Sequence, residues 1–287
     1  MIATADKATG NVREIRVTLP PPHGDAQRDL IETPDSIVLL GGGRFGKTEA
    51  EVRRVVRCMV NDPGLYWWIG LDRGSASYKK AWRMLYLLWA SALRSCGLDP
   101  RNWINRTAHE ISVPNGSRLM FRTAANPQSI AGDGPKGIVG DEFTYWNAEV
   151  YERFIMPATL DHKAWVHLIG RPYGENWGYD LWRKAAHMPG WRQLRYTVYD
   201  NPLLDPADIE AIRANTPDPV WQQEYMAEPG SGDNGVIPLA WVIAAVDRWK
   251  AGATDRSLPL VLACDVSEGG EQADLTTFAH RYGWRID

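Results

Sequence analysis

The chain has little cysteine, little histidine and no long apolar run. Its three cysteines, Cys58, Cys96 and Cys264, form neither a metal-ligand spacing nor an even disulfide set, which favours a reducing intracellular setting. The six histidines make no metal spacing either, and none reads as a ligand. No apolar stretch approaches the roughly 18 residues that a membrane helix needs. Residues 1–10 lack an apolar h-region, so no signal peptide is expected. A net charge of −3 supplies no excess of either sign, so overall charge cannot argue for a nucleic-acid partner. Lysine is scarce beside arginine, 8 against 24, which tilts the cations toward the forked donor suited to phosphates and interfaces. What is present is globular: 44% apolar and 23% charged residues exclude a disordered chain. At 287 residues the length suits one large domain or a domain and a half, and 14 tryptophans imply a well-filled core.

Residues 1–36 are polar and proline-rich, with Pro20-Pro21-Pro22-His23 and then a short segment from Gln27 to Ile31. Ile37–Leu40 is a compact apolar run stopped by three glycines, the pattern of a buried strand. From Lys47 to Val60, Ala50, Val52, Val55, Val56 and Met59 recur at helical spacing. A strand is expected at 65–71 and a helix at 75–95 with Ala81, Leu85, Leu88 and Ala92 on one face. Asn115-Gly116 predicts a hairpin between 111–113 and 119–121, because such a turn needs positive φ. Further strands are expected up to Asp141 and at 165–169 and 194–199, with helices near 148–155 and 179–186. This alternation predicts an α/β fold with a mainly parallel sheet flanked by helices. Helices follow at 206–215 and 219–226, then a glycine-rich linker from Glu228 to Gly235, a helix near 239–249 and a new strand at 260–265. Trp67 and Trp68 are consecutive on a strand and should enter the core from opposite faces.

Gly41-Gly42-Gly43-Arg44-Phe45-Gly46-Lys47-Thr48 fits G-x-x-x-x-G-K-[ST]. A chain this long meets that pattern by chance about once in a hundred, so its setting decides. It lies between a strand and a helix, where glycines let the backbone curl its amides onto phosphate oxygens and the helix adds its positive end. Lys47 is then expected at the β and γ phosphates of ATP, and the Thr48 hydroxyl on Mg²⁺. About 90 residues on, the apolar stretch Gly137–Gly140 ends in Asp141-Glu142. Asp-Glu after apolar residues is also a common helix start. Behind a phosphate loop in one parallel sheet, however, Asp141 is placed to serve the Mg²⁺ shell and Glu142 to orient and deprotonate water.

Over most of its length the chain resembles the large subunit of the phage DNA-packaging terminases. The family's order is kept by Pro20 to Gln27, the phosphate loop, Asn115 to Phe121, Ser129 to Gly132, Asp141-Glu142, Gly170-Arg171-Pro172-Tyr173-Gly174, Asp200-Asn201-Pro202 and Trp221 to Tyr225. Ala263 to Ser267 and Asp274-Leu275-Thr276 are similar to the first strands of that family's ribonuclease-H-like nuclease domain. The resemblance implies an ASCE-type phosphate-loop ATPase over 1–228, a linker with a helix over 229–257, and an incomplete nuclease segment over 258–287. It implies Glu142, Lys47, Arg44 and Arg171 as catalytic groups and Gln27 as the adenine contact. Gly41, Gly42, Gly43, Arg44, Phe45, Gly46, Lys47 and Thr48 would bind nucleotide. Thr48 and Asp141 would serve Mg²⁺, and Asp265 and Asp274 part of a nuclease metal site. The implied partners are double-stranded DNA held through its phosphates, a portal protein, a small terminase subunit and further copies of the chain in a ring. No membrane is implied; the implied place is the host cytoplasm, at the prohead portal.

The chain departs from the family at three points. Gly43 stands where an arginine is usual, leaving Arg44 one step closer to the Gly-Lys pair. Arg171 precedes Pro172 in the coupling motif, which is commonly Ser/Thr-Thr-Pro, so either another donor couples or Arg171 itself senses the γ phosphate. The chain stops at Asp287 before the remaining nuclease carboxylates, so by itself it is not expected to linearise supercoiled plasmid with Mn²⁺. Arg101, Arg106, Arg118, Arg122 and Arg153 are candidates for an arginine acting across a subunit boundary. Two other classes stay open: a nucleotide-gated assembly or DNA-binding module with little hydrolysis, and a helicase-like remodelling ATPase.

Overall fold

The computed structural model describes residues 2–5, 12–130, 134–229, 260–265, 277–282 and 285–286. The chain divides into two compact units, Met1–Gly230 and Ser231–Asp287. The first begins with an antiparallel pair, β1 (Ile2–Ala5) and β2 (Val12–Ile15). Its remaining strands are β3 (Ser36–Gly41), β4 (Leu65–Gly70), β5 (Ile104–Asn105), β6 (Glu110–Ser112), β7 (Arg118–Thr123), β8 (Gly137–Asp141), β9 (Trp165–Gly170) and β10 (Trp191–Tyr196). They form one eight-stranded sheet in the order β10-β3-β9-β8-β4-β7-β6-β5. The six strands from β10 to β7 run parallel, and the β6–β7 and β5–β6 pairs at one edge are antiparallel.

Two helices cover one face, α2 (Lys47–Asn61) and α3 (Ala76–Ser95). Ala50, Val52, Val55, Val56 and Met59 of α2 are all buried, as are Ala81, Leu85 and Ala92 of α3. On the other face lies α5 (Trp177–Ala185), with a turn of π-helix at Val150–Ile155 leading into the short α4 (Met156–Ala158). Trp68 belongs to the core under α2 and α3, and Trp67 to the opposite one, as strand alternation requires. The helix expected near 148–155 is thus widened, next to Pro157, which has no N–H to give to a regular ladder.

Two local expectations shift. The strand expected at 194–199 runs over 191–196, because Thr197 leaves the sheet to start a 3₁₀ turn. There its N–H and hydroxyl both donate to Asp200 Oδ2, at 2.7 and 2.9 Å. The segment from Gln27 belongs to a helix, α1 (Asp25–Glu32), whose Leu30 and Ile31 pack with Ile37, Leu39 and Phe45. The Asn115-Gly116 turn, with Gly116 at φ 93°, serves α2 as well as the hairpin. The Asn115 amide and the Ser117 hydroxyl both donate to the Met59 carbonyl in the last turn of α2, at 2.8 and 2.7 Å.

The unit closes with α6 (Pro206–Ala214) and α7 (Asp218–Glu224). In the second unit β11 (Leu260–Asp265), β12 (Thr277–Tyr282) and β13 (Arg285–Ile286) form an antiparallel three-stranded sheet. The helix expected near 239–249 and the Asp274 site lie outside the described residues, while Asp265 is the last residue of β11. Among the described residues no helix is long and apolar enough to cross a membrane.

Candidate active site at the phosphate loop

Strand register assembles the site. Leu40 of β3 pairs with Gly170 of β9, and Ile169 pairs with Asp141 of β8. The carboxyl ends of all three strands therefore fall at one edge. The loop after β3 and the acids after β8 stand two strand spacings apart, roughly 10 Å, with Arg171 between them.

The loop from Gly41 to Gly46 turns sharply into α2. Arg44 and Gly46 are left-handed, at φ 65° and 99°. Gly46 also has no room for a Cβ, because the Gln27 amide lies against it, and at Gly42 a Cβ would overlap the Tyr225 carbonyl. Phe45 is buried and stacks on Tyr196 at 4.8 Å, so its ring anchors the loop from inside. The amides of Gly42 and Gly43 donate to the Tyr196 and Glu224 carbonyls, at 2.8 and 2.6 Å. Those of Arg44, Gly46, Lys47 and Thr48 donate to no protein acceptor among the described residues. Four free amides at a helix N-terminus form a nest for an anion.

Lys47 curls back onto its own loop, with Nζ donating to the Gly41 and Gly42 carbonyls at 3.1 and 3.4 Å. The Thr48 hydroxyl donates to Asp141 Oδ2 at 3.4 Å. Asp141 is fully buried, and its Oδ1 has no partner. Burial pushes Lys47 down to about 8 and Asp141 up to about 7, each restrained by the other's charge. Thr48 and Asp141 are hard oxygen donors of the kind Mg²⁺ takes, and the unpartnered oxygen leaves one lone-pair set free. No group of three or more His, Cys, Asp or Glu side chains able to hold a metal occurs among the described residues. A magnesium ion here would thus take its other ligands from phosphate and water, its usual habit.

Glu142 follows in a left-handed conformation, φ 61°. Its N–H donates to the Ile169 carbonyl at 2.8 Å, and its own carbonyl accepts from the Tyr145 N–H at 3.1 Å. This costly backbone turns the side chain off the end of β8 and into the cleft. A cleft of about 650 Å³ is lined by Gly43, Arg44, Lys47, Thr48, Asp141, Glu142, Arg171 and Glu224, among others. The same void therefore takes in both ends of the expected machinery.

Other expected residues lie elsewhere. Gln27 is only 2% exposed and sits behind the loop, outside the cleft lining. Its Nε2 donates to the Gly46 carbonyl at 3.1 Å, and its Oε1 accepts from the His23 N–H at 2.9 Å and from Arg53 Nη1 at 3.3 Å. With both ends of its amide engaged, Gln27 braces the loop here. Phe45 likewise brings only backbone. Arg44 lines the cleft while its carbonyl accepts from Asn201 Nδ2 at 2.7 Å, which gives Asn201 of the Asp-Asn-Pro segment a role in holding the loop. Of the five arginines considered for action across a boundary, none lines the cleft. Arg101 is held by Asp99, Arg118 and Arg122 by Glu110, Arg153 by Glu149, and Arg106 lies over Tyr86.

Glu224, on the far wall, escapes sequence reading. It pairs with Arg171 through a direct ion pair, but nothing in Trp221-Gln222-Gln223-Glu224-Tyr225 marks one acid as a cleft residue.

The model of the N-terminal part of terminase large subunits, T4likevirus-type, matches residues 93–242, just over half of the chain. The chain belongs to the terminase large-subunit family. The match includes Asp141, Glu142, Arg171 and Glu224, and begins after the phosphate loop. In fold the chain is similar to the ATPase domain of the Thermus phage P74-26 large terminase, with a TM-score of 0.62 at 17% identity over 73% of this chain and 94% of that one. The large terminase of the thermophilic bacteriophage D6E gives a TM-score of 0.57 at 17% identity, over 93% of this chain and 67% of that one. A form of the D6E protein in complex with ATP-gamma-S gives 0.53 at 17% identity, over 88% and 63%. Both proteins share the mostly parallel sheet flanked by helices. Comparison with curated protein sequences gives no match.

Proposed function

We propose that the chain carries the ATP-hydrolysing motor of a phage DNA-packaging terminase. The observation that carries this reading is the shared cleft: Lys47 and Thr48 on one wall, Asp141 and Glu142 on the next, beside four free loop amides. The amides and Lys47 bind the β and γ phosphates of ATP and neutralise their charge. Lys47 gives up its bonds to the Gly41 and Gly42 carbonyls to do so. Glu142 orients a water in line with the γ phosphorus and takes its proton as the oxygen attacks; ADP departs with the bridging oxygen. Mg²⁺ bound with the nucleotide, at Thr48 and Asp141, would supply Lewis-acid neutralisation of the phosphate oxygens. Arg171, next to the γ position, links this chemistry to movement, and Arg44 contributes a second positive charge at the same cleft.

The substrate being moved is double-stranded DNA, gripped by its phosphates and so without regard to sequence, with an affinity that falls steeply with salt. The partners are a portal protein, a small terminase subunit and further copies of the chain in a ring, at the prohead portal in the cytoplasm of the infected cell. The three-stranded sheet after residue 258 is the opening of a ribonuclease-H-like nuclease domain, with Asp265 as one metal ligand and Asp274 as another. Resemblance to the phage large terminases supports these assignments, and so does the fold shared with P74-26 and D6E.

Replacing Glu142 with Ala tests the reading. ATP binding is expected to persist while steady-state turnover falls by at least about a hundredfold. Turnover near the wild-type rate would remove Glu142 as the base. A nucleotide-gated module with little hydrolysis is the second reading, favoured by the glycine at position 43. It predicts a negligible rate in the unsubstituted chain even with DNA and portal present.

A further inference from the structure

Glu224 is an acid in a cleft suited to polyphosphate, where a carboxylate repels the ligand. Its backbone is pinned: the Glu224 carbonyl accepts from the Gly43 N–H at 2.6 Å, and the next carbonyl, of Tyr225, accepts from the Val198 N–H at 2.9 Å. The absence of a Cβ at Gly42 lets this strand of backbone lie directly on the phosphate loop. Its carboxylate reaches into the void and pairs with Arg171, the two side chains 27% and 39% exposed. Gln223 beside it accepts from the Gly174 N–H at 3.4 Å, so α7 touches the Arg171 loop at two points.

The Arg171 loop is tied equally firmly to the Glu142 turn. The Thr144 hydroxyl donates to the Arg171 carbonyl at 2.7 Å, Asn176 Nδ2 donates to the Thr144 carbonyl at 2.7 Å, and Tyr145 packs on Tyr173 at 4.7 Å. Arg171 is thus a cleft residue whose guanidinium is already occupied by an anion, and that anion comes from α7.

We infer that Glu224 is a positioning residue that occupies Arg171 until the terminal phosphate of a nucleoside triphosphate displaces its carboxylate. This inference rests on the ATPase reading above. A diphosphate has no group at that place and leaves the pair intact. The Arg171–Glu224 pair therefore makes the cleft distinguish triphosphate from diphosphate. It also breaks the Glu224 link between α7 and the Arg171 loop only when the triphosphate is bound, while the Gln223 contact with Gly174 stays. The backbone bonds from Gly43 and Val198 stay in place, so only the side-chain link changes.

The test is equilibrium binding of ADP and of a non-hydrolysable ATP analogue to the whole chain, by calorimetry. Wild type is compared with Glu224→Gln, Glu224→Asp, Arg171→Gln and Lys47→Ala. Glu224→Gln should tighten the ATP analogue about fivefold and change ADP by less than about twofold, raising the triphosphate-to-diphosphate ratio. Glu224→Asp, which keeps the charge but withdraws it by one methylene, should move the ratio the same way by less. Arg171→Gln should lower the ratio. An unchanged ratio in Glu224→Gln, or equal tightening of both nucleotides, overturns the role of Glu224 while Lys47-dependent binding leaves the ATPase reading standing. If the unsubstituted chain binds neither nucleotide, or Lys47→Ala binds both as well, the ATPase reading fails and takes this inference with it.

Discussion

Two acid–base pairs face the sheet from α2, one turn apart, and they differ in what they leave undone. Lys47 and Thr48 look toward Asp141 of β8, while Glu51 looks toward His167 of β9. Glu51 and His167 are both fully buried, and His167 Nδ1 donates to the carboxylate at 2.9 and 3.0 Å. The other ring nitrogen lies 3.2 Å from the Asp35 carbonyl. Both carboxylate oxygens and the ring nitrogen facing them are therefore answered from within the protein. At the neighbouring pair Asp141 Oδ1 is unpartnered and Lys47 is bonded only to the loop it belongs to. Equal burial with unequal satisfaction separates a strut from a binding site: a closed pair adds rigidity, and an open one keeps capacity for a ligand.

Substitution should split the two pairs cleanly. His167→Ala leaves the Glu51 carboxylate buried without its partner and should cost about 3–5 kcal/mol of unfolding free energy. Nucleotide affinity per folded molecule should stay unchanged, and urea melts with calorimetry report both quantities. The double substitution Lys47→Met with Asp141→Asn should do the reverse. It removes both buried charges together, so stability should hold or rise, while ATP turnover falls below detection. If His167→Ala abolished binding at full stability, or the double variant failed to fold, the distinction between strut and site would be gone.

Acidity sharpens the same contrast. Burial lowers the His167 pKa below its ordinary 6.5, outweighing the pull of Glu51. Its contribution is therefore complete above the unfolded value and is lost as pH falls through the folded one. Asp141 is raised from 3.8 to about 7, so its contribution is complete below the unfolded value and is lost as pH rises through about 7. Without nucleotide, the denaturation midpoint should thus carry two opposed contributions, an acid-side decline through His167 offset by the gain from Asp141, which ends in an inflection near pH 7. In the Lys47→Met, Asp141→Asn variant only the acid-side decline should remain. A near-neutral inflection persisting in that variant would assign it to another group.

The smallest effect is expected where α7 meets the loop. Gly42→Ala forces a Cβ into the Tyr225 carbonyl and should cost about 1–3 kcal/mol. It should also weaken nucleotide binding, because the segment that must move carries Glu224. A thermal melt and one binding isotherm check both.

Local chemistry made much of this legible. Glycines followed by Lys47-Thr48 demand a curled loop at a helix start, and an apolar run ending in Asp141-Glu142 demands a strand that delivers acids to its end. Tertiary partners override local preference elsewhere. Val198 and Tyr199 are good strand residues, yet Thr197 and Asp200 turn them out of the sheet. Gln27 precedes the first sheet strand, and the packing of α1 lets it brace the phosphate loop, a role that no local pattern announces. His167 and Glu51 are 116 residues apart, and no spacing rule connects them.

From the amino-acid sequence alone came the alternation of strands and helices, the phosphate loop and the acidic pair, because each depends on backbone preferences within a few residues. Only the folded chain decided that β9 lies between β3 and β8, that Arg171 consequently stands between the loop and the acids, and that α7 brings Glu224 to meet it. Strand order and the closing wall are settled by which apolar faces bury one another across long stretches of chain. That competition is summed over the whole core and is written in no single segment.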